Sequence, residues 1–221
     1  MKDNRLKIII GAYGSGKSEI SVNLALKMRK ENPSDKVLLA DLDIVNPFYR
    51  SSDANKVLEE NDIRLISPMY ANSNVDAPVL SGEVYVIFDD DSYRGVFDIG
   101  GEDMGATVLG SLKHRIENTD HAIYMAVNTL RPFTSDPKQI AVMTAELQAA
   151  SGFPIDGYLN NTNLLEETTP EMVREGEEMI LEASKVTGIP LTATCAMKEI
   201  GVKECLAPEF FEMTRQIFYS Y

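Results

Sequence analysis

The chain has 221 residues, 44% of them hydrophobic, which suffices for one well-buried core and predicts a single domain over residues 1–221. Its 34 acidic and 21 basic residues leave a formal charge of −13. No Lys/Arg cluster offsets it, so nucleic acid and anionic membrane are excluded as expected partners. The apolar stretch before Gly11 is too short for a signal segment or a membrane span, so a cytoplasmic protein without a stable membrane anchor is expected.

In chain order, the run KIII (7–10) predicts a strand that leads into the glycine-rich GAYGSGKSEI (11–20). A helix follows from about Lys17 to Glu31, with Ile20, Leu24 and Met28 on one stripe and Pro33 as its stop. KVLLA (36–40) and IRLI (63–66) predict further strands. YVIF (85–88) and GVFDI (95–99) flank the acidic stretch Asp89, Asp90, Asp91, Ser92, which predicts an antiparallel hairpin near 84–98. AIYMAV (122–127) is a strand, and 137–150 a helix with Ile140, Met143 and Leu147 inward. FPIDGYL (153–159) is a strand. A second capped helix spans 170–186, with Thr169 as N-cap, Pro170 at its first position and Gly188 past its end. IPLTA (189–193) is the last strand read, and the tail carries Phe210, Phe211, Ile217 and Phe218 in a helix-like pattern that packs on the domain. Short Val/Ile/Leu-rich runs alternating with helices predict an α/β fold, a mostly parallel sheet with helices on both faces. Cys195 and Cys205 fit no metal or redox spacing and read as inert thiols, while His114 and His121 read as surface or capping residues.

The chemistry concentrates in the glycine loop. Gly11, Gly16, Lys17 and Ser18 complete G-x-x-x-x-G-K-[ST] between a strand and a helix, the context that a phosphate cradle requires. Gly14, Ser15, Gly16 and the following Glu19 belong to the segment that folds backbone N–H groups around phosphate; Lys17 reaches the β- and γ-oxygens, and Ser18 ligates Mg²⁺. LLADLDIVNPFYR places Asp41 and Asp43 at the carboxyl end of a strand, where ligands bind in open α/β sheets and where carboxylates orient water or approach Mg²⁺. VFDIGGEDMG ends another strand on Asp98, a magnesium-shell candidate, with Gly101 free to offer an N–H to a γ-phosphate.

The order of cradle, D-x-D-x-x-x-P and D-x-x-G resembles the MinD/ParA branch of P-loop NTPases over residues 6 to 195. That resemblance implies an ATP- and Mg²⁺-dependent ATPase in which Asp43 positions the attacking water, Asp41 supports it and Asp98 is the Walker B residue. It also implies base reading by Asn161 of GYLNNTN and a second asparagine strand ending at Asn128 of VNTLRP. The family's deviant Walker A lysine, which reaches across a dimer, falls at Ala12 here, and Arg50 is the candidate replacement. Guanine selection usually needs N-K-x-D, and LNNTNLL has neither that lysine nor that aspartate, so adenine is expected. The expected role is a nucleotide-controlled switch or accessory factor for a protein client, such as a metalloenzyme under assembly, with a nucleotide-dependent homodimer. Rival readings are a small-molecule kinase with an acceptor pocket in 67–95 and a non-catalytic ATP-binding module.

Overall fold

The computed structural model describes residues 1–42, 54–66, 82–100 and 103–217, with the backbone alone at 103, 104, 106 and 107. β1 (Leu6–Ile10), β2 (Lys36–Leu42), β3 (Ile63–Ile66), β4 (Tyr93–Ile99), β5 (His121–Val127), β6 (Gly157–Asn160), β7 (Leu191–Met197) and β8 (Glu209–Met213) form one eight-stranded sheet in the order β3-β2-β4-β1-β5-β6-β7-β8. Every pairing is parallel. All five residues of β1 are buried because the strand is covered on both faces: Ile9 joins the cluster under α1 (Lys17–Glu31), while Ile8 and Ile10 join the opposite one.

Two apolar layers follow from that alternation. On one side Ile20, Leu24 and Met28 of α1 and Leu58 of α2 (Asn55–Glu60) cover Ile9, Leu39, Val96 and Tyr124. On the other, α4 (Asp103–Glu117), α5 (Pro137–Ser151) and α6 (Pro170–Thr187) lay Leu109, Leu112, Ile140, Leu147 and Ile180 over Ile8, Phe97, Met125 and Tyr158. The result is a three-layer α/β domain whose strand C-termini all open at one edge.

Two expected elements differ. The hairpin near 84–98 is absent. Gly82–Tyr85 is a 3-10 turn continued by the short helix α3 (Val86–Asp89), and β4 alone is a strand, parallel to both neighbours. A four-residue apolar run cannot be told from a buried helical turn by periodicity. Here Ile87 packs down onto Gly95, where a Cβ would lie 2.5 Å from its Cδ1, so the glycine in β4 makes room for a helix where a hairpin partner was expected. Asp90 then accepts from Ser92 N at 2.9 Å and turns the chain into β4. At the other end, 209–213 is strand β8, with Phe211 and Met213 buried and Glu212 exposed, a period of two rather than 3.6. The tail does pack on the domain, through Phe211 and Ile217.

Candidate functional site

The loop from β1 to α1 is shaped by left-handed backbone at Gly14 (φ +73) and Gly16 (φ +81), a region that side-chain-bearing residues occupy only under strain. Gly16 is the N-cap of α1 and no side chain caps that helix. α5 and α6, by contrast, are capped by Asp136 and Thr169. The first-turn N–H groups of α1, and its dipole, are thus left for an anion. Lys17 is 6% exposed, and its Nζ donates to Ala12 O at 3.2 Å across the loop. Ser15 is fully buried and Ser18 partly so.

Behind the loop, the ends of β5 and β6 are knitted together. Asn128 Oδ1 accepts from Leu130 N (3.0 Å) and Asn163 N (3.4 Å), its Nδ2 donates to Asn163 O (3.0 Å), and Thr129 and Thr162 share a hydroxyl contact at 3.0 Å. The structure therefore uses the Asn128 amide to brace the two loops. Asn161 Nδ2 donates to Ser15 O at 2.7 Å, which fixes the cradle from below.

Asp41 and Asp98 are register partners on the adjacent strands β2 and β4, both fully buried and both on the α1 face; Ile9, two residues before Gly11, pairs with Asp98 on the other side. Two carboxylates thus lie side by side on the β4 side of the cradle, Asp98 next to β1 and Asp41 one strand further out. That donor set, with the Ser18 hydroxyl, fits Mg²⁺, which takes one or two protein carboxylates and completes its shell with waters and substrate phosphates. Among the described residues no group of three or more His, Cys, Asp or Glu could hold a metal by itself. Asp43, Arg50 and Gly101 lie outside the described residues.

Glu19 lines the cleft beside Gly16, with its carboxylate turned to the C-terminal segment. It is 8% exposed and accepts from Gln216 N (2.7 Å) and Ile217 N (3.2 Å), and burial raises its pKa. Asn23 adds a reciprocal pair with Thr214, so 214–217 forms a strap clamped to α1 one turn beyond Ser18. Motif matching reads Glu19 by its place after the cradle, and cannot see a partner almost two hundred residues away.

Beside the cradle, the ends of β6, β7 and β8 enclose a cleft of about 550 Å³ counting its open mouth. Met197, Met213 and Ile217 supply apolar wall; Asn161, Asn163 and Arg215 supply polar edge. Cys195 also lines it, its thiol pushed up to about 12 by burial, which leaves it unreactive. His114 is exposed, and His121 Nδ1 lies 2.8 Å from Thr119 O. A residue not anticipated from sequence, Arg131, donates from Nε to Gly14 O at 3.2 Å. The available signal was topological: β5 pairs with β1, so whatever follows β5 flanks the cradle.

No family model matches the sequence, and no curated protein does. Solved structures do match. FlhF complexed with GTP/Mg²⁺ aligns with a TM-score of 0.55 and 16% identity over 86% of this chain and 64% of that one. FtsY from Thermotoga maritima gives 0.56 and 15% over 86% and 61%, and FtsY from Mycoplasma mycoides 0.51 and 18% over 87% and 60%. The chain thus spans about three fifths of their length. At these identities the likeness shows the fold alone, an α/β domain with a parallel sheet, and in this chain the glycine loop lies between β1 and α1.

Proposed function

We propose that the chain is a Mg²⁺-dependent ATP-binding and ATP-hydrolysing protein of the MinD/ParA-like kind, acting as a nucleotide-controlled switch for a protein client. The observation that carries this reading is the uncapped N-terminus of α1, wrapped by Gly14 and Gly16 and held by Lys17, with the buried pair Asp41 and Asp98 on its β4 side. In this reading Lys17 and the loop N–H groups bind the phosphates, and Ser18 and Asp98 hold the metal with Asp41 in support. Asp43 orients the attacking water, and Gly101 offers its N–H to the terminal phosphate. A magnesium ion held by these residues would neutralise charge on the phosphates.

Support for adenine comes from the cleft. Guanine recognition needs an acceptor carboxylate for its N1 and N2 hydrogens, and among the described residues the one carboxylate lining the cleft, Glu19, is engaged by the 214–217 strap. In this reading Asn161 reads the base, and Asn163 continues the amide edge of the same cleft. A purine ring has the Met197, Met213 and Ile217 surfaces to rest on. Support for a protein client comes from Tyr13, Leu130 and Phe133, which are 55%, 43% and 67% exposed and flank the Gly14–Arg131 contact at the mouth of the cradle. Apolar side chains grouped there would report the nucleotide state to a partner, a metalloenzyme under assembly or a second copy. No described helix is long and apolar enough to cross a membrane.

The test is phosphate release from ATP by wild type and Asp43→Ala, with and without candidate acceptors. Acceptor-independent release that falls sharply in the variant while ATP binding persists supports the reading. Release that requires an acceptor identifies a kinase instead, and a background rate equal in both proteins identifies a binding module.

A further inference from the structure

We infer that Arg131 is a cation for the nucleotide's polyphosphate, supplied in cis by the chain that binds it, so that the lysine missing at Ala12 is replaced without a second subunit. The inference rests on the nucleotide reading above and adds a ligand-contacting residue to it.

Placement comes first. β5 pairs with β1 through Ile10–Met125, so the segment after Val127 passes alongside the glycine loop. Arg131 is held there by its main-chain N–H to Asn128 O (3.2 Å) and by extended backbone (φ −110, ψ 145) ahead of Pro132. Its Nε donates to Gly14 O, and the guanidinium lies so close that a Cβ on Gly14 would meet Nε at 3.1 Å and Cζ at 3.4 Å. With Nε so engaged, the four Nη hydrogens remain for acceptors at the rim of the cradle.

Charge pairing is the second, independent observation. The other described arginines, Arg5, Arg29, Arg64, Arg94, Arg115, Arg174 and Arg215, each lie within ion-pair distance of a carboxylate. In a chain with 13 more acidic than basic residues, carboxylate partners are abundant. Among the described residues Arg131 alone of the arginines makes no ion pair, and it is the one docked on an anion cradle. The counter-charge that suits this site is the ligand's phosphate, to which charge-assisted, bidentate bonds are strong. Its anchoring means little ordering cost on binding.

The experiment titrates MgATP and MgADP into wild type, Arg131→Gln and Arg131→Lys, with melting of the nucleotide-free proteins as a check on folding. We expect Arg131→Gln to keep the wild-type melting temperature and to weaken MgATP by about tenfold or more, with a shallower dependence on salt. Arg131→Lys should recover part of the affinity. Hydrolysis is then measured in an equimolar mixture of Arg131→Gln and Lys17→Ala. A cis cation gives no recovery above the sum of the two. Recovery in the mixture, or wild-type affinity and salt dependence in Arg131→Gln, overturns the inference. Loss of melting temperature with unchanged affinity also overturns it and makes Arg131 a brace of the loop. If wild type itself binds neither nucleotide, the nucleotide reading fails along with it, an outcome distinct from the others.

Discussion

Gly16→Ala is the substitution whose cost can be worked from the structure. Gly16 has φ +81, and an added Cβ would lie 2.2 Å from Asn161 Nδ2. An alanine in left-handed backbone costs roughly 1–2 kcal/mol. The methyl also pushes the Asn161 amide off Ser15 O, a 2.7 Å bond whose loss costs about 1 kcal/mol. Because the displaced atom is a side-chain tip rather than backbone, the clash relaxes at that cost and no more. The total is roughly 2–3 kcal/mol, or a fall in Tm of about 5–10 °C for a chain of this size. The assay is equilibrium urea unfolding without nucleotide, run as a cycle with Asn161→Ala. With the amide gone, Gly16→Ala should cost only the backbone strain, so the cycle should show a favourable coupling of about 1 kcal/mol. Additivity within about 0.3 kcal/mol would refute the claim that Asn161 supports the cradle through this contact.

Two further outcomes follow from particular residues. Lys7, on β1 at the far edge from the cradle, is 4% exposed, and burial lowers its pKa from 10.5 to about 8. Below pH 8 it is charged in both states and the folded state bears the full cost, on the order of 3 kcal/mol. Between pH 8 and 10.5 the folded protein releases the proton first, so stability rises with pH, and above that range the cost is gone. Lys7→Met should therefore stabilise most at pH 7 and least at pH 10, read as the difference in unfolding free energy from wild type; an equal difference at both values contradicts the assignment. In the cleft, Asn163→Asp should raise the ratio of GTP to ATP affinity by about tenfold, measured by competition against a fluorescent nucleotide. An unchanged ratio would remove Asn163 from base selection.

Much of this was legible where local chemistry and long-range packing agree. The cradle and α1 follow from G-x-x-x-x-G-K-S between an apolar run and an i, i+4 stripe, and α6 announces itself through Thr169, Pro170 and Gly188; its observed span is Pro170–Thr187. Seven of the strands lie on runs that alternate with helices, as a sheet covered on both faces requires. The bounds of α4 were not read, although His114 was placed on or near a helix, since Gly105 and Gly110 interrupt the stripe of Leu109, Leu112 and Ile116. The 84–89 segment and β8 were misread because five or fewer apolar residues fit either period, and a glycine in a neighbouring strand decided the first while edge pairing with β7 decided the second. In the site, Lys17, Asp41 and Asp98 could be placed from motif and strand ends. Arg131, the Glu19 clamp and the bracing by Asn128 could not, because each depends on which loops the parallel order brings side by side.

The central claim is that this cradle binds nucleoside triphosphate, adenine in preference to guanine, through Lys17. Calorimetric titration of MgATP and MgGTP into wild type and Lys17→Ala tests it most directly. We predict saturable MgATP binding by wild type, at least tenfold weaker MgGTP binding on the order expected for losing a charge-assisted contact, and no measurable heat from a Lys17→Ala protein that melts as a folded domain. Equal affinity for the two nucleotides would contradict the adenine assignment, and MgATP binding that survives Lys17→Ala unchanged would contradict the cradle itself.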